Sequence, residues 1–178
     1  LPISMLTVYL SHGVEIGPNA MKMQALKGVV EALDDCEAVV MDYRNMPDPA
    51  TRLEHLYATL DARNEPATYW VMAGSSLGGW LSAMVCARYK TRGCFMLAPA
   101  LGLPDYPQTS PTLQPCHTHI IHGWQDDIVP PDPVIDIARQ QRLPLRMVDD
   151  DHRLHASMPT ILSDFDAFLK QCLSDDNV

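Results

Sequence analysis

The sequence predicts an α/β fold: a three-layer, doubly wound sheet of about six parallel strands with helices on both faces. Two observations carry this. Short apolar runs alternate with segments whose apolar residues recur at helical spacing, which is the pattern of successive βα units. The chain has 178 residues, 47% hydrophobic and 20% charged, enough for one packed core and too few for two ordinary ones. Residues 1–178 are therefore expected to form one domain.

The elements follow in order. The run Leu6–Ser11 is the first strand, and Met23, Leu26, Val29, Val30 and Leu33 mark a helix over about Asn19–Leu33. Ala38–Tyr43 is the second strand. Leu53, Leu56, Tyr57 and Leu60 share one face of a helix near Ala50–Arg63. Strand Tyr69–Ala73 runs into helix Leu77–Tyr89, and strands Gly93–Leu97, His119–His122 and Leu145–Val148 follow. A helix near Pro133–Gln141 separates the last two strands, and Met158–Leu173 closes the pattern. Between Ala98 and His117 lie Pro99, Pro104, Pro107, Pro111 and Pro115, which exclude a continuous helix or central strand and predict a stiff loop.

Composition excludes several functions. A net charge of −9 offers no electrostatic footprint for nucleic acid or anionic lipid. No apolar run approaches the roughly 20 residues that span a bilayer, and Leu1-Pro2-Ile3-Ser4 does not read as a secretion signal. The five cysteines, Cys36, Cys86, Cys94, Cys116 and Cys172, form no C-x-x-C pair, and a reducing cytoplasm is the expected location.

Four segments carry chemistry. Gly74-Ser75-Ser76-Leu77-Gly78 is a G-x-S-x-G between a predicted strand and a predicted helix. Such a turn projects the Ser76 hydroxyl above the sheet, admits only small residues two positions away, and presents a helix N-terminus to a developing oxyanion. Asp126, in His122-Gly123-Trp124-Gln125-Asp126, and His152 each stand in a loop after a later strand, where side chains converge in parallel sheets. The order Ser76, Asp126, His152 is that of a nucleophile, an orienting acid and a base. His12-Gly13-Val14 ends the first strand, and a backbone N–H there, that of Val14, is expected to join the N–H of Leu77 in an oxyanion hole. His12, Gly13 and Trp124 are expected to contact substrate, with Met46, Leu101 and Tyr106 as further pocket candidates, whereas Trp80 is expected to pack against the sheet from its helix.

These pieces together resemble the α/β-hydrolase superfamily along essentially the whole chain. The matching segments are Ser11-His12-Gly13, Asp42-Tyr43-Arg44, Gly74–Gly78, Leu97-Ala98-Pro99, His122–Pro130 and His152. Ser11-His12-Gly13-Val14-Glu15-Ile16-Gly17-Pro18 is similar to small, lidless bacterial members described as predicted esterases. The resemblance implies strands three to eight of the superfamily sheet in the order 4-3-5-6-7-8, with no cap domain. It further implies a cofactor-free, metal-free serine hydrolase acting on a small or surface-accessible acyl substrate, an ester or thioester. His152 departs from the pattern in following three aspartates rather than a glycine.

Two other classes compete. A non-catalytic binding or scaffold module of the same fold has no physical need of all three residue types in this order. Metal-dependent hydrolysis is suggested by Cys116-His117-Thr118-His119 with His122, Asp126 and Asp127, yet in an extended segment His117 and His119 face one side and His122 the other.

Overall fold

The computed structural model describes residues 5–14, 17–18 and 20–174. Six strands form one parallel sheet: β1 (Leu6–Ser11), β2 (Cys36–Val40), β3 (Trp70–Ser75), β4 (Gly93–Leu97), β5 (His117–Gly123) and β6 (Leu145–Val148). Their spatial order is β2-β1-β3-β4-β5-β6. The helices are α1 (Met21–Glu31), α2 (Pro49–Ala62), α3 (Leu77–Arg88), α4 (Pro131–Gln141) and α5 (Met158–Ser174).

Side chains alternate across a strand, and here both faces are covered, so the central strands are apolar throughout. Leu6, Val8 and Leu10 of β1, Val71 and Ala73 of β3, and Phe95 and Leu97 of β4 pack toward α1 and α5 with Met23, Leu26, Phe165 and Leu169. Tyr9, Met72, Cys94 and Met96 point the other way, against Leu56 and Leu60 of α2, Leu81 and Val85 of α3, and Val134 of α4. The result is the predicted three-layer arrangement, with residues 98–116 as a Pro-rich loop and no cap domain among the described residues. No helix among them is long and apolar enough to cross a membrane. All five cysteines are free, and all but Cys116 are buried.

Element ends moved where side chains intervened. The second strand ends at Val40 rather than Tyr43, because the N–H of Tyr43 is taken by the His12 imidazole and leaves the ladder. Strand β5 begins two residues before the expected His119, since His117 pairs with Gly93 at the start of β4. Helix α4 starts at Pro131, where a missing N–H costs nothing in a first turn. Helix α1 spans Met21–Glu31, and its expected start at Asn19 lies outside the described residues, as do Glu15 and Ile16.

The Pro-rich loop is pinned rather than free. Trp80 is fully buried beneath it, donating from Nε1 to the Gln108 carbonyl at 2.7 Å and meeting Tyr106 edge-on at 5.3 Å. The Ala100 N–H donates to the Ser76 carbonyl at 3.0 Å, tying the loop to the start of α3.

Two glycine substitutions test this packing in opposite directions. A β-carbon on Gly78 would sit 1.9 Å from the Ser11 carbonyl oxygen, so Gly78→Ala should destabilise the protein by about 3 kcal/mol or more. Gly28 is exposed within α1 and its β-carbon would meet nothing within 4 Å. Gly28→Ala should therefore stabilise by about 0.5–1 kcal/mol. Urea unfolding of the two variants measures both; equal midpoints would contradict the close contact at Gly78.

Candidate active site

The centre of the site is the turn between β3 and α3. Ser76 has φ 58° and ψ −118°, a conformation that a non-glycine residue adopts at a cost on the order of 1–3 kcal/mol. Its surroundings hold it there. The Ser76 N–H donates to the Leu97 carbonyl at 2.9 Å, and the Ser76 carbonyl accepts from Gly79, Ala100 and Trp80 at 2.9, 3.0 and 3.2 Å. A β-carbon on Gly74 would lie 2.2 Å from the Gly78 carbonyl oxygen, which is why both positions around the serine must be small. Leu77 is the first residue of α3, where a helix leaves its N–H groups without intrahelical partners.

His152 and Asp126 complete an unbroken line of contacts with the serine. His152 Nε2 lies 3.0 Å from Ser76 Oγ, and His152 Nδ1 lies 2.7 Å from Asp126 Oδ2. A carboxylate only accepts, so Nδ1 carries the proton and Nε2 presents its lone pair to the serine hydroxyl. The other Asp126 oxygen accepts the N–H groups of Val129 at 2.8 Å and Ile128 at 3.0 Å. Burial alone would raise the Asp126 pKa, but these bonds and the neighbouring His152 and His122 outweigh it and hold the carboxyl below its ordinary value.

The loops carrying these two residues are locked together. Gly123 permits the approach, since a β-carbon there would stand 2.3 Å from the Asp150 carbonyl oxygen. The N–H of Gln125 donates to that same oxygen at 3.0 Å. The aspartates before His152 have their own work: Asp150 accepts from the Ser157 N–H and hydroxyl at 2.9 and 2.8 Å, and Asp151 accepts from the Arg153 N–H at 3.0 Å. Buried Leu154, at φ 57°, then anchors the loop in the core.

The remaining expected residues divide. Gly13 lies against the turn, where a β-carbon would be 3.5 Å from Ser76 Cβ, and Val14 follows it with its side chain exposed. Trp124 is exposed in the loop that carries Asp126. His12 requires a correction: it is 1% exposed and its ring is turned into the protein instead of toward a substrate. Its Nε2 accepts the Tyr43 N–H at 3.0 Å, so Nδ1 holds the proton and donates to the Gly13 carbonyl at 2.8 Å. Of the further pocket candidates, Leu101 is buried and Met46 and Tyr106 pack partly buried against the core. His117, His119 and His122 do not converge, and the described residues contain no cluster that could hold a metal. His119 instead pairs with Asp164 at 2.9 Å.

Two further residues stand near the site: His122, which the sequence offered only as the start of the Asp126 segment and as a metal-ligand candidate, and Lys22, which no motif announced. His122 is fully buried behind Asp126; its Nε2–H donates to the Val129 carbonyl at 3.0 Å and stands 3.3 Å from Asp126 Oδ2. Its Nδ1 is buried without a hydrogen-bond partner among the described residues, and burial pushes its pKa down, favouring the neutral ring. Lys22 of α1 reaches the turn, donating from Nζ to Ser75 Oγ at 3.3 Å. Burial lowers the Lys22 pKa, against the pull of Asp150, Asp151 and Asp126.

Comparison with known proteins matches the uncharacterised protein family UPF0227 over residues 6–110, a stretch that includes Gly13 and Ser76 and stops before Asp126 and His152. No curated protein matches the sequence. Among solved structures, a protein of the alpha/beta hydrolase superfamily from Xanthomonas campestris pv. campestris is 30% identical, covering 93% of this chain and 98% of its own, with a TM-score of 0.79. Est1E from Butyrivibrio proteoclasticus is 16% identical over 98% of this chain and 90% of its own, with a TM-score of 0.77. An alpha-beta serine hydrolase homologue from Coxiella burnetii is 20% identical over 94% and 88%, with a TM-score of 0.76. The latter two are alike in fold. The chain belongs to the family UPF0227, and its fold is that of the alpha/beta hydrolase superfamily.

Proposed function

We propose that the protein is a serine hydrolase that cleaves small or surface-accessible carboxylic esters or thioesters through an acyl-enzyme. The observation that carries this reading is the continuous hydrogen-bonded line from Ser76 Oγ through His152 to a buried, ionised Asp126. Nucleophile, base and orienting acid stand within the reach that proton transfer needs. A scaffold module has no use for a serine held at a strained φ with its hydroxyl on an imidazole.

In the first step His152 Nε2 removes the Ser76 proton as Oγ attacks the acyl carbonyl. Asp126 holds the tautomer and stabilises the imidazolium. The N–H groups of Leu77 and Val14 bind the oxyanion, each such donor contributing about 3 kcal/mol. Collapse breaks the bond to the leaving group, which takes the proton from His152. Water, deprotonated by the same imidazole, then releases the acyl group from Ser76. The cycle requires no metal and no organic cofactor. With residues 98–116 tied down through Trp80 and no cap among the described residues, the acyl group would sit near solvent, close to Trp124.

Three measurements test this. Ser76→Ala should fold normally and lose about 10⁶ in turnover on short activated esters, together with labelling by a fluorophosphonate; near wild-type hydrolysis would end the proposal. Asp126→Asn should lose about 10⁴, because the amide favours the wrong tautomer of His152, whereas exposed Asp127→Asn should lose less than about tenfold. A larger loss at Asp127 would reassign the acid. Acyl chains of about two to four carbons should give a higher kcat/KM than chains of about twelve, since no cap roofs a long apolar tunnel; the reverse order would contradict the uncapped site.

A further inference from the structure

Arg52 of α2 is a buried cation that pairs with no carboxylate among the described residues. It is 2% exposed, and its hydrogen bonds among the described residues all go to backbone carbonyls. Nε donates to Met46 at 2.8 Å, and Nη1 donates to Gly13 at 3.1 Å and to His12 at 3.4 Å. The Tyr43 ring lies 5.4 Å from its guanidinium carbon. Burial lowers its pKa, and its electrostatic neighbours are the tyrosines Tyr43 and Tyr106. Buried charges are ordinarily paired, because an uncompensated one is strongly destabilising. This one is held in a cradle of carbonyl dipoles beside the turn that carries Ser76.

The Gly13 carbonyl explains the placement. It accepts from both Arg52 Nη1 and His12 Nδ1. The Gly13–Val14 peptide is trans, and in a planar trans peptide the N–H points away from the carbonyl of the same unit. Two donors fixed on the carbonyl side therefore determine where the Val14 N–H is aimed. Gly13 itself lies against Ser76, so that peptide borders the reacting centre. The guanidinium also polarises the peptide, making its N–H end more positive.

We propose that Arg52 is a positioning residue of the oxyanion site: by gripping the Gly13 carbonyl it aims and polarises the Val14 N–H toward the oxyanion formed when Ser76 attacks. This rests on the serine-hydrolase reading above. Arg52 does not touch substrate. Because the oxyanion that the Val14 N–H binds forms only as Ser76 attacks, the contribution of Arg52 appears in kcat and hardly in KM.

The test compares wild type, Ser76→Ala, Arg52→Gln and Arg52→Lys, with kcat and KM on a short activated ester expressed per folded molecule. Each is also titrated with an aryl boronic acid, whose trigonal boron accepts the Ser76 oxygen while the serine proton passes to His152, leaving a tetrahedral boronate anion. Arg52→Gln removes the charge and should lose about 100-fold in kcat with KM within about threefold, and boronate affinity should weaken by the same factor. Arg52→Lys keeps the charge without the fork, and should show a smaller loss, about tenfold, again matched in boronate affinity. A folded Arg52→Gln with kcat within about threefold of wild type, or a loss of kcat with unchanged boronate affinity, overturns the proposal. Should Arg52→Gln fail to fold, Arg52→Lys decides by the same criterion, an absent or unmatched loss overturning it. Hydrolysis retained in Ser76→Ala would instead overturn the serine-hydrolase reading; loss in Ser76→Ala with Arg52→Gln unaffected overturns this inference alone.

Discussion

The backbone of Ser76, held at positive φ between a strand and a helix, is the constraint around which the rest of this structure is arranged. That conformation persists only because its neighbours over-determine it. Gly74 packs on Gly78, Gly78 on the Ser11 carbonyl, and Gly79 on Pro99, so three chain segments close on the turn at backbone distance. The Ser76 carbonyl then collects three N–H donors, one of them from the Pro-rich loop. The loop's prolines give it a stiffness that makes such a contact inexpensive in entropy. A strained serine, a glycine-lined contact with β1 and a pinned loop are thus one packing solution.

The same economy governs charge. Asp126 is buried, and it remains ionised because three N–H groups, from His152, Val129 and Ile128, donate to its two oxygens, with His122 close by at 3.3 Å. His122 stands there at a cost. With Nε2–H donated to the Val129 carbonyl, its buried Nδ1 has no hydrogen-bond partner among the described residues, an arrangement worth about 1–3 kcal/mol against folding. Arg52 mirrors it across the turn: a buried cation satisfied by carbonyl dipoles, where Asp126 is a buried anion satisfied by N–H groups. Local dipoles fixed by the fold take the place of water on both sides of Ser76.

The motifs beside the turn become intelligible through these contacts. Ser11-His12-Gly13 and Asp42-Tyr43-Arg44 lie at and just beyond the ends of neighbouring strands, and their residues bind one another. The Tyr43 N–H meets His12 Nε2, the Tyr43 hydroxyl meets Ser11 Oγ at 2.8 Å, and the Tyr43 ring faces Arg52. His12 therefore shapes the β1–α1 loop, a role that its place in a glycine turn at a strand end does not distinguish from substrate contact.

What the sequence determined by itself was whatever repeats at short range. Apolar periodicity located all six strands and five helices, because burial on one helix stripe or on both strand faces leaves its period in the chain. The small residues around Ser76 located the turn, since backbone contact at Gly74 and Gly78 excludes any β-carbon. Chain order pointed to Asp126 and His152, and the fold brings them within 2.7 Å of each other and His152 within 3.0 Å of Ser76. Tertiary structure alone decided the rest. Strand ends at Tyr43 and His117 depended on which partner took a backbone N–H, and the orientation of His12 depended on a residue 31 positions away. Lys22 and Arg52 carry no local signature, and the segment that opens at His122 marks its place but not its role, because a buried histidine or a cation at helical spacing looks the same whether it faces solvent, core or site. Their roles come from partners distant in sequence, and only the folded chain brings those partners within hydrogen-bond reach.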